Sequence, residues 1–278
     1  MKLGIVTDST ADLPTYLIEE QDIRVVPTIL VLEGKEYSDG IGISREDFYT
    51  RLPALQTPAT TAAPSIGDFL SPYQSLLDSG CDHILSIHVS GKLSGVVNVA
   101  RRAAEEFPGQ VTCVDSGSLS MGIGFQVLAA AASADLGVKT ALETIESTQR
   151  RTKVFAALDT MEYLKRSGRV PAVVANIGGL LSIKPVVELR NGEVKPMAVN
   201  RTASQADNFI LDKLLEMGEM ERLAILHTNV EARAKKLLND VMERNHKAIP
   251  RDILFVNVTA VIGTHLGPNC IGFAAVKK

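Results

Sequence analysis

The sequence predicts an α/β protein of two domains: an N-terminal three-layer α/β/α domain with a parallel sheet, and a C-terminal two-layer α/β domain with a mixed sheet. Three observations lead there. Apolar strand-like runs alternate with helical patterns through the first half, the order from which parallel sheets covered on both faces are built. In the second half Asn191-Gly192 stands between two apolar runs, a strong hairpin signal that requires antiparallel pairing. The length of 278 residues suits two ordinary domains. A boundary near Arg150–Lys153 divides the chain into domains 1–152 and 153–278.

Taken in order, residues 3–7 form a short apolar run that ends in Asp8-Ser9-Thr10. Asp12 is placed to cap a helix with Pro14 in its first turn. Residues 24–32 read as one Val/Ile-rich strand interrupted by Pro27, and Glu33-Gly34-Lys35 as a turn. Ser44 with Asp47, and Ser65 with Asp68, each give a capping signal at a helix start. Between them a Pro/Thr/Ala loop runs from Pro53 to Pro64. Strands at 83–89 and 111–115 follow, separated by the loop Ser90-Gly91-Lys92-Leu93-Ser94-Gly95 and a helix. The second half adds strands at 154–158, 183–189, 194–199, 223–227, 253–258 and 272–276, with helices at 161–165, 203–217 and 231–244.

Composition narrows the function. The net charge is −3, and the basic pairs Arg101-Arg102, Arg150-Arg151 and Lys235-Lys236 lie on helix faces, where a solvated surface is the ordinary explanation. With 5% aromatics and no Trp, a base-stacking surface is disfavoured too, so nucleic acid is not an expected partner. Cys81, Cys113 and Cys270 lack CxxC spacing and read as buried free thiols in a reducing, cytoplasmic setting. The start reads as a strand and not a signal peptide. The Ala-rich stretch 127–134 is too short to span a bilayer, so no stable membrane insertion is expected.

Several catalytic signatures are missing. GxxxxGK[ST] does not occur, Gly122-Ile123-Gly124 lacks the third glycine of a dinucleotide fingerprint, and there is no GxSxG. Among the histidines, His83 and His88 point to opposite faces of a strand, which is poor geometry for a metal. What remains is hydroxyl-rich sequence at strand ends: Asp8 to Thr10, Ser90 to Ser94, and Asp115 to Ser120. Ligands of parallel sheets bind beyond the carboxyl ends of the strands. Hydroxyls and helix N-termini suit a carboxylate or phosphate. The same residues also serve as helix caps, and the sequence leaves both readings open.

The motifs resemble those of the DegV family. Thr7-Asp8-Ser9-Thr10-Ala11-Asp12-Leu13 is similar to the family's TDSTADL start. Thr61-Ala62-Ala63-Pro64-Ser65 is an altered TSQPS, and Ser90 to Val96 corresponds to SxxLSGT with Val96 in place of Thr. Asp115-Ser116 with Gly122 and Gly124 fits the DS…GxG stretch. Leu158 to Leu164 with Gly168-Arg169 fits LDTLEYL…GR. Leu181-Ser182-Ile183-Lys184-Pro185 and Arg201 follow, and Ile262 to Pro268 resembles IGTHxGPG with Asn269 in place of the last Gly. The resemblance covers essentially the whole chain.

It implies a carrier without catalysis of its own. Such a protein binds a long-chain fatty acid, such as palmitate, between its two domains and presents or transports it in lipid metabolism. In some relatives the recipient is a separate fatty acid kinase subunit, which makes such a subunit a candidate partner. The carboxylate would be held by Thr61 and Ser94, with His265 close by and backbone N–H groups near Gly95. Arg201 would handle the acyl phosphate or the partner. Ile177, Leu180, Leu181 and Ile183 are apolar and close to Gly178-Gly179; they read as tunnel lining or equally as core. No cofactor beyond the bound acid and no metal is expected. The alternative is a phosphoryl-transfer enzyme or small-metabolite-binding domain related to dihydroxyacetone kinase, for which His227 or His265 would have to be the nucleophile.

Overall fold

A computed structural model describes residues 2–168, 183–245 and 248–278. Along the chain the strands are β1 (Leu3–Asp8), β2 (Ile23–Val26), β3 (Ile29–Leu32), β4 (Lys35–Ser38), β5 (Thr60–Ala62), β6 (His83–His88), β7 (Val111–Asp115), β8 (Thr152–Ala157), β9 (Lys184–Arg190), β10 (Glu193–Asn200), β11 (Met220–His227), β12 (Ile253–Asn257) and β13 (Ile271–Lys277). Contacts divide the chain into two compact units: Met1–Ile29 with Ala62–Arg150, and Leu30–Thr61 with Arg151–Lys278.

The first unit is built on a parallel sheet of order β2-β1-β6-β7. All six residues of β1 are buried. Since successive side chains point to opposite faces, both faces of the sheet are covered. Ile66–Asp78 and Val96–Ala104 are two of the covering helices. The first begins with the expected capping box, Ser65 and Asp68 each bonding the other's backbone N–H. Asp12 does not cap the start of the following helix; it closes the 3-10 turn Ser9–Ala11 at its C-terminal end. It sits in the left-handed region at φ 57°, the following helix Thr15–Glu20 has Pro14 as its cap, and the Asp12 carboxylate accepts from Ser120 Oγ at 2.6 Å.

The second unit carries a mixed sheet of order β10-β9-β8-β13-β11-β12. Every neighbouring pair is antiparallel except β11 and β12. The expected hairpin joins β9 to β10, with Asn191 and Gly192 at φ 53° and 77°, the left-handed pair that a type I′ turn demands. Helices Ala203–Leu215 and Glu231–Asn245 cover one face with Ile210, Leu214, Leu237 and Val241 over Phe155, Leu223 and Phe273. Among the described residues no helix is long and apolar enough to cross a membrane.

The segment Leu30–Thr61 departs from the division expected at 1–152 and 153–278, because it groups with the second unit. The reason is burial. Leu30, Leu32, Phe48, Tyr49 and Leu52 form one apolar cluster with Ala260 and Val261, and five such side chains left in water would cost about 1.5–3 kcal/mol each. The single strand expected over residues 24–32 is correspondingly two. Pro27 ends β2, and the next N–H, that of Thr28, donates to Ser9 Oγ at 3.1 Å instead of to a sheet. The stretch from Pro53 to Pro64, expected as loop, contains β5, which pairs with β3 in a small sheet of order β4-β3-β5.

Candidate functional site

In the first unit the three hydroxyl-rich loops do lie together, at the adjacent carboxyl ends of β1, β6 and β7. Asp8 closes β1 and is fully buried. Its Oδ1 accepts from Thr10 N at 3.0 Å and from the Thr10 hydroxyl, and its Oδ2 accepts from Val89 N at 3.1 Å. His88 Nδ1 stands 3.0 Å from Asp8 Oδ2, and His88 Nε2 stands 2.6 Å from Ser86 Oγ, itself 2.7 Å from Tyr73 Oη. Asp, His and Ser in this order resemble a nucleophilic triad. All three are 0% exposed, so the array braces the strand ends from inside the protein. Burial pushes the Asp8 carboxyl up, but His88, Thr10 and the Val89 N–H outweigh it and hold Asp8 below the usual carboxylate range.

Asp115 closes β7 and ties the loop that follows β6. Its Oδ2 accepts from Gly91 N at 3.1 Å and its Oδ1 from Gly117 N at 2.9 Å. A Cβ on residue 91 would lie 2.9 Å from Asp115 Oδ2, so any other residue there would displace the carboxylate. Ser90 N donates to Ser118 O at 2.9 Å, and Ser94 N to Ser90 O at 3.1 Å. Most hydroxyls of these loops are spent inside the protein: Ser90 Oγ accepts from Lys92 N, Ser116 Oγ from Ser118 N, and Ser120 Oγ donates to Asp12. Ser94 differs, since its half-buried hydroxyl has no hydrogen-bond partner among the described residues. Gly95 next to it is the N-cap of helix Val96–Ala104 and brings no capping side chain; the Asn98 N–H donates to Gly95 O at 3.0 Å, which leaves those of Val96 and Val97 to other acceptors.

In the second unit the centre is the short helix Ala260–Leu266, which carries His265. Nε2 of His265 is 3.0 Å from Oγ1 of Thr61 on β5. The structure therefore brings together two of the residues the motifs singled out, 204 positions apart in sequence. The pair has useful chemistry. A neutral imidazole that carries its proton on Nδ1 accepts the Thr61 proton at Nε2. A protonated one donates to Thr61 Oγ1 and leaves the hydroxyl proton for another acceptor, such as a carboxylate. A cavity of about 170 Å³ opens beside His265, lined also by Leu52, Leu55, Pro58, Tyr163 and Arg166. Pockets that enclose whole ligands measure ~300–1,000 Å³, so this one suits part of a ligand.

The helix is held from two sides by tyrosines at glycines. Tyr49 Oη donates toward Val258 O at 3.0 Å and Thr259 O at 3.4 Å. A Cβ on Gly263 would lie 2.6 Å from Tyr49 Cζ and closer still to Oη. At the other end Gly267 has φ +80°, and a Cβ there would lie 2.6 Å from Tyr163 Cε2. Tyr163 lies in the quoted motif, whereas Tyr49 belongs to no motif and sits in the short, mostly charged helix Arg45–Arg51, so no local signal identifies it.

The remaining expected residues fall as follows. Arg201 is exposed just before helix Ala203–Leu215, its N–H donating to Gln205 Oε1 at 3.1 Å. Ile183 is buried with Leu158, Met161, Leu164, Val187 and Cys270 in a core cluster. Ile177, Leu180 and Leu181 lie outside the described residues. His227 accepts from Val230 N at 3.3 Å through Nδ1, and burial pushes its pKa down. Asn269, where the motif has Gly, adopts φ 63°, a left-handed conformation that Asn tolerates better than most residues.

The fold and these loops define a two-unit α/β protein with hydroxyl donors gathered at strand ends and no phosphate-binding glycine loop in its sequence. The profile of the DegV family, described as uncharacterised protein, DegV family, matches residues 2–278, and the chain belongs to that family. A DegV domain-containing protein of Streptomyces coelicolor is 35% identical over 99% of this chain and 99% of its own length. Two solved structures superpose over the full length of both chains. One is described as fatty acid binding of a DegV family protein from Thermus thermophilus, at TM-score 0.92 and 34% identity. The other is described as DegV, a fatty acid binding protein from Bacillus subtilis, at TM-score 0.88 and 28% identity.

Proposed function

We propose that this protein binds one long-chain fatty acid, such as palmitate, with the carboxylate at the Thr61–His265 pair, and presents it without catalysing a reaction of its own. The observation that carries the reading is that pair: a hydroxyl and an imidazole 3.0 Å apart, a neutral-to-cationic donor set suited to a carboxylate. The two structural relatives described as fatty acid binding support the ligand class. Ser94 and Gly95 enter through the motif resemblance and through a serine hydroxyl without an internal partner. The acyl chain supplies affinity. A sixteen-carbon acid has about fourteen methylenes at about 0.8 kcal/mol each, roughly 11 kcal/mol gross, and ordering and association costs remove part of it. The head-group donors then set orientation more than strength.

A fatty acid kinase subunit is the partner this reading favours, with exposed Arg201 available to it or to an acyl phosphate. Native mass spectrometry of the purified protein, followed by solvent extraction, tests the ligand. A stoichiometric increment that extracts as free fatty acid is expected. An apo mass that stays unchanged after incubation with palmitate or oleate overturns the proposal. ATP turnover by the chain alone would overturn the non-catalytic half of it.

A further inference from the structure

Tyr49 has the surroundings of a residue that sets the orientation of another. Its ring is buried to 2% exposure beside Phe48, edge-on at 5.0 Å between centroids. A buried phenol needs a hydrogen-bond acceptor, and this one reaches across 209 residues to the carbonyl of Val258, and more distantly to that of Thr259. Those carbonyls stand where β12 ends and helix Ala260–Leu266 begins. Thr259, the helix's N-cap, makes no side-chain capping bond, and the tyrosine contact falls at that same end. The same phenol closes on Gly263, where no Cβ fits.

These contacts restrict how the helix can turn. Advancing one residue along an α-helix moves about 1.5 Å and rotates about 100°. A slip of one position would bring the side chain of Ile262 or Thr264 onto the phenol in place of Gly263, and would swing His265 away from Thr61. The fit at Gly263 admits one rotation, the one that places His265 Nε2 at 3.0 Å from Thr61 Oγ1.

We propose that Tyr49 is a positioning residue for His265: its hydroxyl, lodged between the Val258 carbonyl and Gly263, sets the rotation of helix Ala260–Leu266 and so the aim of the imidazole at the carboxylate. The inference rests on the fatty-acid reading for its ligand, though not for its geometry. Tyr49→Phe keeps the ring and removes the hydroxyl. In wild type and Tyr49→Phe, histidine ring resonances are followed across pH by NMR with no lipid present, and His265 is assigned by its loss in His265→Gln. The expected result is a displaced titration midpoint and altered ring shifts for His265, with the other histidines unmoved. Binding of palmitate and of hexadecanol is measured alongside. Loss of one neutral hydrogen bond predicts about three- to tenfold weaker acid binding with alcohol binding unchanged, and no further acid loss when Tyr49→Phe is added to His265→Gln. A lower melting temperature with His265 resonances unmoved would make Tyr49 a core residue only and overturn the proposal. If the wild type takes no lipid, the fatty-acid reading falls while the NMR result still decides the role of Tyr49.

Discussion

In the first unit, Ser94 stands on a loop whose backbone is tied to the Asp8 and Asp115 carboxylates, each at the end of a parallel strand. In the second, His265 stands on a helix held by tyrosine rings pressed against Gly263 and Gly267. One arrangement uses charge-assisted hydrogen bonds over a few ångströms, the other shape. The difference determines how each responds. Carboxylate tethers weaken when protonated and are sensitive to one-atom changes at constant volume. Packing against glycine is indifferent to acid and intolerant of one added methyl group.

The largest effect is expected at Asp8. Asp8→Asn puts an amide nitrogen in place of one carboxylate oxygen, against either the Thr10 or the Val89 donors, at about 1–3 kcal/mol for each buried group left unsatisfied. Urea denaturation at neutral pH measures the loss. The folded-state pKa of Asp8 lies below its ordinary value, so its contribution is complete above the unfolded value of about 3.9 and is lost as pH falls through the folded one. The gap between wild type and variant therefore narrows on acidification. A gap that widens would break the comparison on the side of the first unit.

Gly263→Ala comes next, at about 1–3 kcal/mol for overpacking a filled site. This loss should be the same at neutral and mildly acidic pH, and a pH-dependent loss would break the comparison on the other side. Asp115→Asn sharpens it. The amide oxygen keeps one of the two backbone N–H donors and the amide nitrogen faces the other, so about 1 kcal/mol is expected, together with faster hydrogen exchange at Gly91 or Gly117. Ser94→Ala should leave the melting temperature unchanged and weaken retention of the fatty acid more than of the matching alcohol. Equal losses for both would remove Ser94 from the head group. Smallest is Arg201→Ala, within about 0.5 kcal/mol in stability as for other surface sites, with lipid binding intact and transfer by a kinase partner impaired.

Much of the fold is legible in the sequence, because the features that specify it are local. The β9–β10 turn follows from Asn191-Gly192 and the helix start at Ile66 from Ser65 and Asp68, each a matter of a few consecutive residues. The ends of β1 and β7 follow from apolar runs that stop at Asp8 and Asp115. The motifs carry the residues of the candidate site. The meeting of Thr61 with His265 was not read from spacing, since 204 residues separate them.

Asp12 shows the limit of local reading. Its position before Pro14 suits a helix cap, yet Ser120, 108 residues away, takes its carboxylate. Leu30–Thr61 shows it on a larger scale. Its alternating apolar residues establish strands and a helix, and say nothing of which sheet or core receives them. Element type is settled by the period of apolar residues along the chain, which the sequence alone determines. Partner choice is settled by which distant apolar surface gains most from being covered. Here that surface is Ala260 and Val261 beneath Tyr49, and only the tertiary structure could select it, because the gain exists only once both surfaces leave water together.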